Sequence, residues 1–197
     1  GPAAVVRVTF DEPLASGFDA TGLVTLAPTG GVPVEGTVAV SEDRLQAVLT
    51  PREPLVSNER YTVTENGAED ASGNRQTVAF TSSFTTLDTI PPVLAAKSPA
   101  EGSWTNDGRP VIRVDLADPQ PGSGIDTTAG TASLRLDGTA VAASLSAGAL
   151  SYTPPSSLAE GQHGVAATAR DRAGNEGVLA APLTFGVDLT LPDAGEV

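Results

Sequence analysis

An all-β chain built as two tandem antiparallel β-sandwiches is predicted by three observations. Short runs rich in Val, Thr, Leu and Ala are punctuated by 21 Gly and 16 Pro. No window of about 11 residues carries an apolar stripe at helical spacing. The chain also repeats itself: Asp88-Thr89-Ile90-Pro91-Pro92 has a degraded copy, Asp188-Leu189-Thr190-Leu191-Pro192, near the end. Thr50 and Thr153, like Leu55 and Leu158, lie 103 residues apart, while Asp70 and Asp171, like Phe84 and Phe185, lie 101 apart. Consecutive prolines lack amide donors and fix φ, so Pro91-Pro92 is expected to be a stiff hinge. The units are placed at residues 3–88 and 92–188, with 189–197 expected to begin a linker to a further module. Gly1-Pro2, ahead of a sequence without Met, is expected to be a cleavage scar on a piece of a longer protein.

In the first unit, residues 4–10 place Val6, Val8 and Phe10 on one parity and Arg7 and Thr9 on the other, as in a strand buried on one face. Asp11-Glu12-Pro13 ends it. Leu23 to Leu26 and Val34 to Val40 follow, separated by the Gly30-Gly31 turn. Residues 45–50 turn Leu45, Ala47 and Leu49 inward, and Pro51 breaks the run. Residues 60–64 bury Tyr61 and Val63. After the turn Asp70-Ala71-Ser72-Gly73-Asn74, a last strand carries Val78, Phe80, Ser82 and Phe84, making about seven strands.

The second unit takes the same order. Val93 to Ala96 and Pro110 to Leu116 are strands, residues 118–126 form a Gly/Pro/Ser loop, and Leu134 and Leu136 lead into the Asp137-Gly138 turn. Leu150 to Tyr152 precedes Pro154-Pro155. Gln162 to Arg170 is the longest strand, with Val165, Ala167 and Ala169 in phase. Asp171-Arg172-Ala173-Gly174-Asn175 repeats the earlier turn, and Leu183, Phe185 and Val187 close the unit.

Short strands at a spacing of about 8 to 12 residues, with turn clusters between them, predict an immunoglobulin-like (Ig-like) topology, hence two tandem Ig-like antiparallel β-sandwiches. Residues 8–13, Thr50-Pro51, Tyr61-Thr62-Val63, residues 70–74 and Phe84-Thr85-Thr86 resemble the bacterial Ig-like domains of surface-layer proteins. Pro99-Ala100-Glu101-Gly102-Ser103, Gly122-Ser123-Gly124-Ile125-Asp126, Leu158-Ala159-Glu160-Gly161 and residues 171–175 are similar to Ig-like repeats of large bacterial surface proteins. The resemblance implies stalks, adhesins and accessory modules of exported enzymes, found outside the cell, on its surface or in the periplasm. It is specific for fold and nearly silent on ligand.

Composition removes several functions. The chain has no cysteine, so disulfides, thiolate metal sites and a catalytic Cys are absent. A net charge of -13, with Lys97 the single lysine and no Arg cluster, opposes nucleic acid and anionic lipid. No apolar run approaches the roughly 20 residues of a membrane span. No Gly-x-Ser-x-Gly elbow, His/Glu metal motif or phosphate loop occurs. His163, the only histidine, shares the parity of Val165 and is expected to pack, not to catalyse. Asp115 with Asp118, and Asp11 with Glu12, are near in sequence as glycosidase carboxylates are in space, but decorate loops of an acidic sandwich. No catalytic residues are expected.

Calcium is the sharper expectation. Asp88 at the hinge, the turn residues Asp70, Asn74, Asp171 and Asn175, and the loop acids Asp118 and Asp126 offer the oxygen donors that calcium takes where modules meet. Turn chemistry alone, in which Asp and Asn bond their own backbone, explains the same residues. Trp104, with Asn106 and Asp107, is placed in a loop and is the candidate glycan or protein contact if exposed; burial would weaken that reading. The expected partners are neighbouring Ig-like modules of the same chain, then a surface glycan or protein. Open sandwiches also leave edge strands able to pair with another chain.

Overall fold

The computed structural model describes residues 4–146 and 148–193; the expected scar at Gly1-Pro2 and the end of the expected linker lie outside them. The chain divides into two compact units, Gly1–Leu87 and Asp88–Val197.

Among the described residues the first unit has six strands, against the about seven the sequence suggests: β1 (Val6–Thr9), β2 (Val24–Pro28), β3 (Gly36–Val40), β4 (Gln46–Pro51), β5 (Arg60–Glu65) and β6 (Phe80–Thr85). They form two three-stranded antiparallel sheets, ordered β1-β4-β3 and β2-β5-β6. The predicted alternation holds where it meets the core: Ala47, Leu49, Tyr61 and Val63 are buried together with Leu14, Leu23, Val24 and Leu26. Tyr61 stacks on Phe84 with ring centroids 5.9 Å apart, and its hydroxyl accepts the Val56 amide at 3.0 Å. The last strand begins two residues later than predicted, and Val78, ahead of it, stands exposed.

The second unit carries β7 (Val93–Ser98), β8 (Trp104–Thr105), β9 (Ile112–Ala117), β10 (Ala132–Leu136), β11 (Thr139–Val141), β12 (Ser144–Leu145), β13 (Ala149–Tyr152), β14 (Gly161–Arg170), β15 (Glu176–Val178) and β16 (Leu183–Val187). One sheet runs β12-β13-β9-β7, the other β11-β10-β14-β16-β8, with β15 beside β14. Every pairing is antiparallel except β8 with β16, which is parallel. Trp104 is therefore a strand residue and not part of a loop. Strands as short as β8, β12 and β15 show no readable periodicity, and β8 exists through its pairing with β16. The core is closed: Ile112, Val114, Leu134, Leu150, Val165, Leu183, Phe185 and Val187 are all essentially inaccessible. Each such side chain contributes roughly 1.5–3 kcal/mol, so packing and not the exposed ion pairs holds the unit.

The segment read from sequence as a hinge is packed into this unit. Asp88 and Pro92 are buried, and a Cβ on Gly177 would lie 2.0 Å from the Pro92 carbonyl oxygen. Any side chain at 177 must push that backbone away, so Gly177→Ala is expected to lower the second unit's thermal midpoint. An unchanged midpoint would show that β7 and β15 are not in this close contact.

Candidate metal centre in the second unit

Three separate pieces of the second unit meet at one end of the sandwich: Asp88 just before β7, Asp118 in the loop after β9, and Asp171 in the turn after β14. The loop is pinned to that turn. Asp126 N donates to Arg170 O (2.9 Å), Arg172 N to Gly124 O (2.9 Å), and Ile125 forms an isolated bridge with Asp171. Asn175 fastens the leading segment, with Nδ2 donating to Asp88 O at 3.1 Å and to Asp171 Oδ2 at 2.7 Å. Ser123 N donates to Asp88 Oδ2 at 2.7 Å, and Gly124 N donates to Asp118 Oδ2. Glycine is required at 122, where a Cβ would lie 2.5 Å from an Asp118 carboxylate oxygen.

The result brings one carboxylate oxygen from each of Asp88, Asp118 and Asp171 within 4.8 Å of the others. Asp88 and Asp171 are buried, Asp118 half-buried. Like charges at this spacing repel by on the order of 3 kcal/mol per pair at an effective dielectric of about 20. Burial, together with the nearby Asp88 and Asp171 charges, raises the Asp118 carboxyl above its ordinary range, against the lowering effect of the Gly124 amide. Asp118 Oδ1 is buried with no hydrogen-bond partner among the described residues.

Calcium takes six to eight oxygens at about 2.3–2.6 Å, so two oxygens on one ion stand up to roughly 5 Å apart. The trio fits that limit with oxygen donors only, a set that suits calcium better than zinc. Asp88, Asp118 and Asp171 would be the ligands, and Asn175 would hold two of them in place.

The other expected ligands are elsewhere. Asp70 and Asn74 form the same turn in the first unit: Asp70 Oδ1 accepts Ser72 N and Asn74 N, both at 2.8 Å, and Oδ2 accepts Asn74 Nδ2 at 2.6 Å. Those bonds lower the Asp70 pKa, the Asn74 side chain first. Among the described residues no carboxylate trio forms around Asp70, so turn chemistry accounts for this copy. Asp126 also stays apart, capping Thr128 N at 2.9 Å.

Trp104 is 59% exposed. Its ring covers Gly186, where a Cβ would come within 2.3 Å of ring carbons. Asn106 is exposed, while Asp107 accepts the Arg109 amide at 2.8 Å and shapes the turn.

His163 packs, as expected. It is 8% exposed, with its ring centroid 5.5 Å from that of Phe185. Nδ1 lies 2.7 Å from Asp137 Oδ2 and Nε2 lies 2.9 Å from Ala159 O. Both partners only accept, and imidazolium alone offers two donors. Burial pushes the pKa down, but the bonds to Asp137 and Ala159 outweigh it and the net shift is upward. A raised folded pKa gives stability that is fully present below pH 6.5 and is lost as pH rises through the folded value. The second unit's midpoint is therefore expected to fall as pH rises above 6.5, and His163→Tyr should flatten the slope. An equal slope in the variant would assign the pH dependence to other groups.

Two Ig-like sandwiches, each with a family match over most of its length, define the class. Residues 2–86 and residues 99–189 match two distinct family models, both described as bacterial Ig-like domains. The chain therefore consists of two bacterial Ig-like domains in tandem. No curated protein matches the sequence. Among solved structures, surface layer protein SbsC, domains 1-6, is 19% identical, covering 94% of this chain and 24% of that one at a TM-score of 0.38. The N-terminal part of SbsC is 20% identical, with 94% and 42% covered and a TM-score of 0.36. Dimeric latent PorU from Porphyromonas gingivalis is 17% identical, with 97% and 20% covered and a TM-score of 0.41. The chain thus spans well under half the length of each of these proteins, and the family assignment rests on the two domain matches. Among the described residues no helix is long and apolar enough to cross a membrane.

Proposed function

We propose that the chain is a non-catalytic pair of structural modules from a longer bacterial cell-surface or secreted protein, and that its second unit is a calcium-stabilised strut. The observation that carries the calcium reading is the meeting of Asp88, Asp118 and Asp171 within 4.8 Å, with Asp118 Oδ1 buried and without a partner. A cation there would neutralise the mutual repulsion and tie the segment leading into the unit to its loop and turn. Calcium sites of extracellular modules work at about 10⁻⁴–10⁻³ M, a range suited to a site built from few carboxylates. The surface location is supported by the bacterial Ig-like family and the cysteine-free, acidic composition.

Calorimetric titration with calcium should show one ion per chain, and Asp118→Asn should abolish the heat. No heat at millimolar calcium would remove the metal from the reading. Replacing the two units in the parent protein with an unrelated Ig-like pair of equal reach should preserve the parent's activity; loss of activity would assign these units a recognition role.

Trp104 favours a second reading. Its exposed face, backed by Gly186, is a platform on which a sugar or a partner side chain could stack. Saturable quenching of its fluorescence by an oligosaccharide, lost in Trp104→Ala, would establish it; unchanged emission across a glycan panel would exclude glycan stacking.

A further inference from the structure

The outer face of the second unit's larger sheet gathers polar groups around Trp104. β8 and β14 flank β16, and Gly186 stands opposite Trp104 on one side and Gln162 on the other. Residues paired across a ladder share a face, so Trp104, Gly186 and Gln162 form one row, about 10 Å from end to end. Its middle member has no side chain, so the indole lies across Gly186 and keeps its outer side exposed. Two residues further along each strand direction, the same alternation puts Asn106, Asp188 and Glu160 on that face. The Asp188 amide donates to Thr105 O at 2.9 Å, which carries the pairing of β8 with β16 past the last ladder residue. The Asn106 and Gln162 side chains are exposed.

The two carboxylates are fixed on backbone donors. Asp188 Oδ1 accepts Thr190 N at 3.0 Å, and Glu160 Oε1 accepts Leu189 N at 2.9 Å and Thr190 Oγ1 at 2.7 Å. Each keeps its second oxygen without a hydrogen-bond partner, and neither carboxylate has an ion-pair partner, among the described residues. Asp107 differs, because its carboxylate is committed to the Arg109 amide. An exposed aromatic face is thus bordered by two amides and two preordered anions with no paired cation.

We infer that this face binds a glycan carrying free amino groups, with one amino-sugar ring stacked on Trp104 and its ammonium bonded to the free oxygens of Asp188 and Glu160. The inference rests on the stacking reading of Trp104 and adds the class of sugar. The indole accepts the apolar C–H side of a pyranose ring, a contact open to most sugars. The carboxylates decide among them. A bound ring takes their free oxygens partly out of water, and an ammonium returns charge-assisted bonds about twice as strong as those from a neutral hydroxyl. An acidic sugar meets two like charges and a chain of net charge -13. The amides of Asn106 and Gln162 supply donors and acceptors for the ring hydroxyls.

The probes are a β-1,4-linked glucosamine tetramer and its fully N-acetylated counterpart, titrated calorimetrically into the full chain at mildly acidic pH, where sugar amines are charged. The glucosamine tetramer should bind at least tenfold more tightly. High salt and Asp188→Asn should each erase that preference, since Asn retains an acceptor for the Thr190 amide and removes only the charge. Trp104→Ala should abolish binding of both tetramers, with the fold confirmed by an unchanged β-sheet circular dichroism spectrum. Equal affinity for the two tetramers would overturn the inference and leave the stacking reading of Trp104 intact; no binding of either would remove both. Tetralysine binding as tightly as the glucosamine tetramer, and surviving Trp104→Ala, would also overturn it, because the face would then attract any polycation.

Discussion

Calcium at a hundred times its dissociation constant is expected to stabilise the second unit by about 2.7 kcal/mol. For a domain of this size that raises the thermal midpoint by roughly 10–20 °C. Trp104 is the only tryptophan and lies in β8, so its fluorescence follows this unit alone. Asp118→Asn separates the effects mixed at the site. It keeps the side-chain shape and the Gly124 amide contact, removes one of three like charges, and weakens the ligand set. The calcium-free variant should be at least as stable as the parent chain, since removing a half-buried, repelled carboxylate relieves both desolvation and repulsion. In calcium it should gain little. Asp70→Asn, which alters the matching turn in the first unit, should leave the shift unchanged. An equal calcium response in Asp118→Asn would remove that residue from the site.

The repeat explains both what could be read in the sequence and what could not. Identical local chemistry writes an identical local signature: Asp70 to Asn74 and Asp171 to Asn175 form the same turn, with positive φ at Gly73 and Gly174. Sequence reading therefore gave both copies the same calcium expectation. What separates them is long-range. Asp118 lies far in sequence from Asp88 and Asp171, and only pinning of its loop through Ile125 and Arg172 brings the three together. The first unit has the matching loop, with Leu14 bridged to Asp70 as Ile125 is to Asp171, but among the described residues no carboxylate trio forms around Asp70, so the local pattern could not tell the copies apart.

Strands facing a core were legible wherever burial imposed a period of two, as in β4, β5 and β14. β8 was not, because two residues cannot show a period and its reason for being a strand lies in β16. The half-burial of the first strand was hidden for a related reason. Val6, Val8 and Phe10 show a clean inward alternation, but alternation records which face is apolar and not whether anything covers its edge.

A difference in burial between matched residues carries the last large effect. Phe185→Ala empties a site of 0% exposure walled by two complete sheets, and should cost about 3–5 kcal/mol, observed as loss of the Trp104 transition at much lower urea. Phe84 is its counterpart by register, stacks on Tyr61 as Phe185 packs on His163, and is only half-buried. Truncating it removes a side chain that already keeps part of its surface in water, so the lost transfer energy and the new cavity are both smaller. Phe84→Ala should cost about half as much, followed by exchange of the β5 amides. If the two truncations cost the same, Phe84 is packed as densely as Phe185 despite its half-burial.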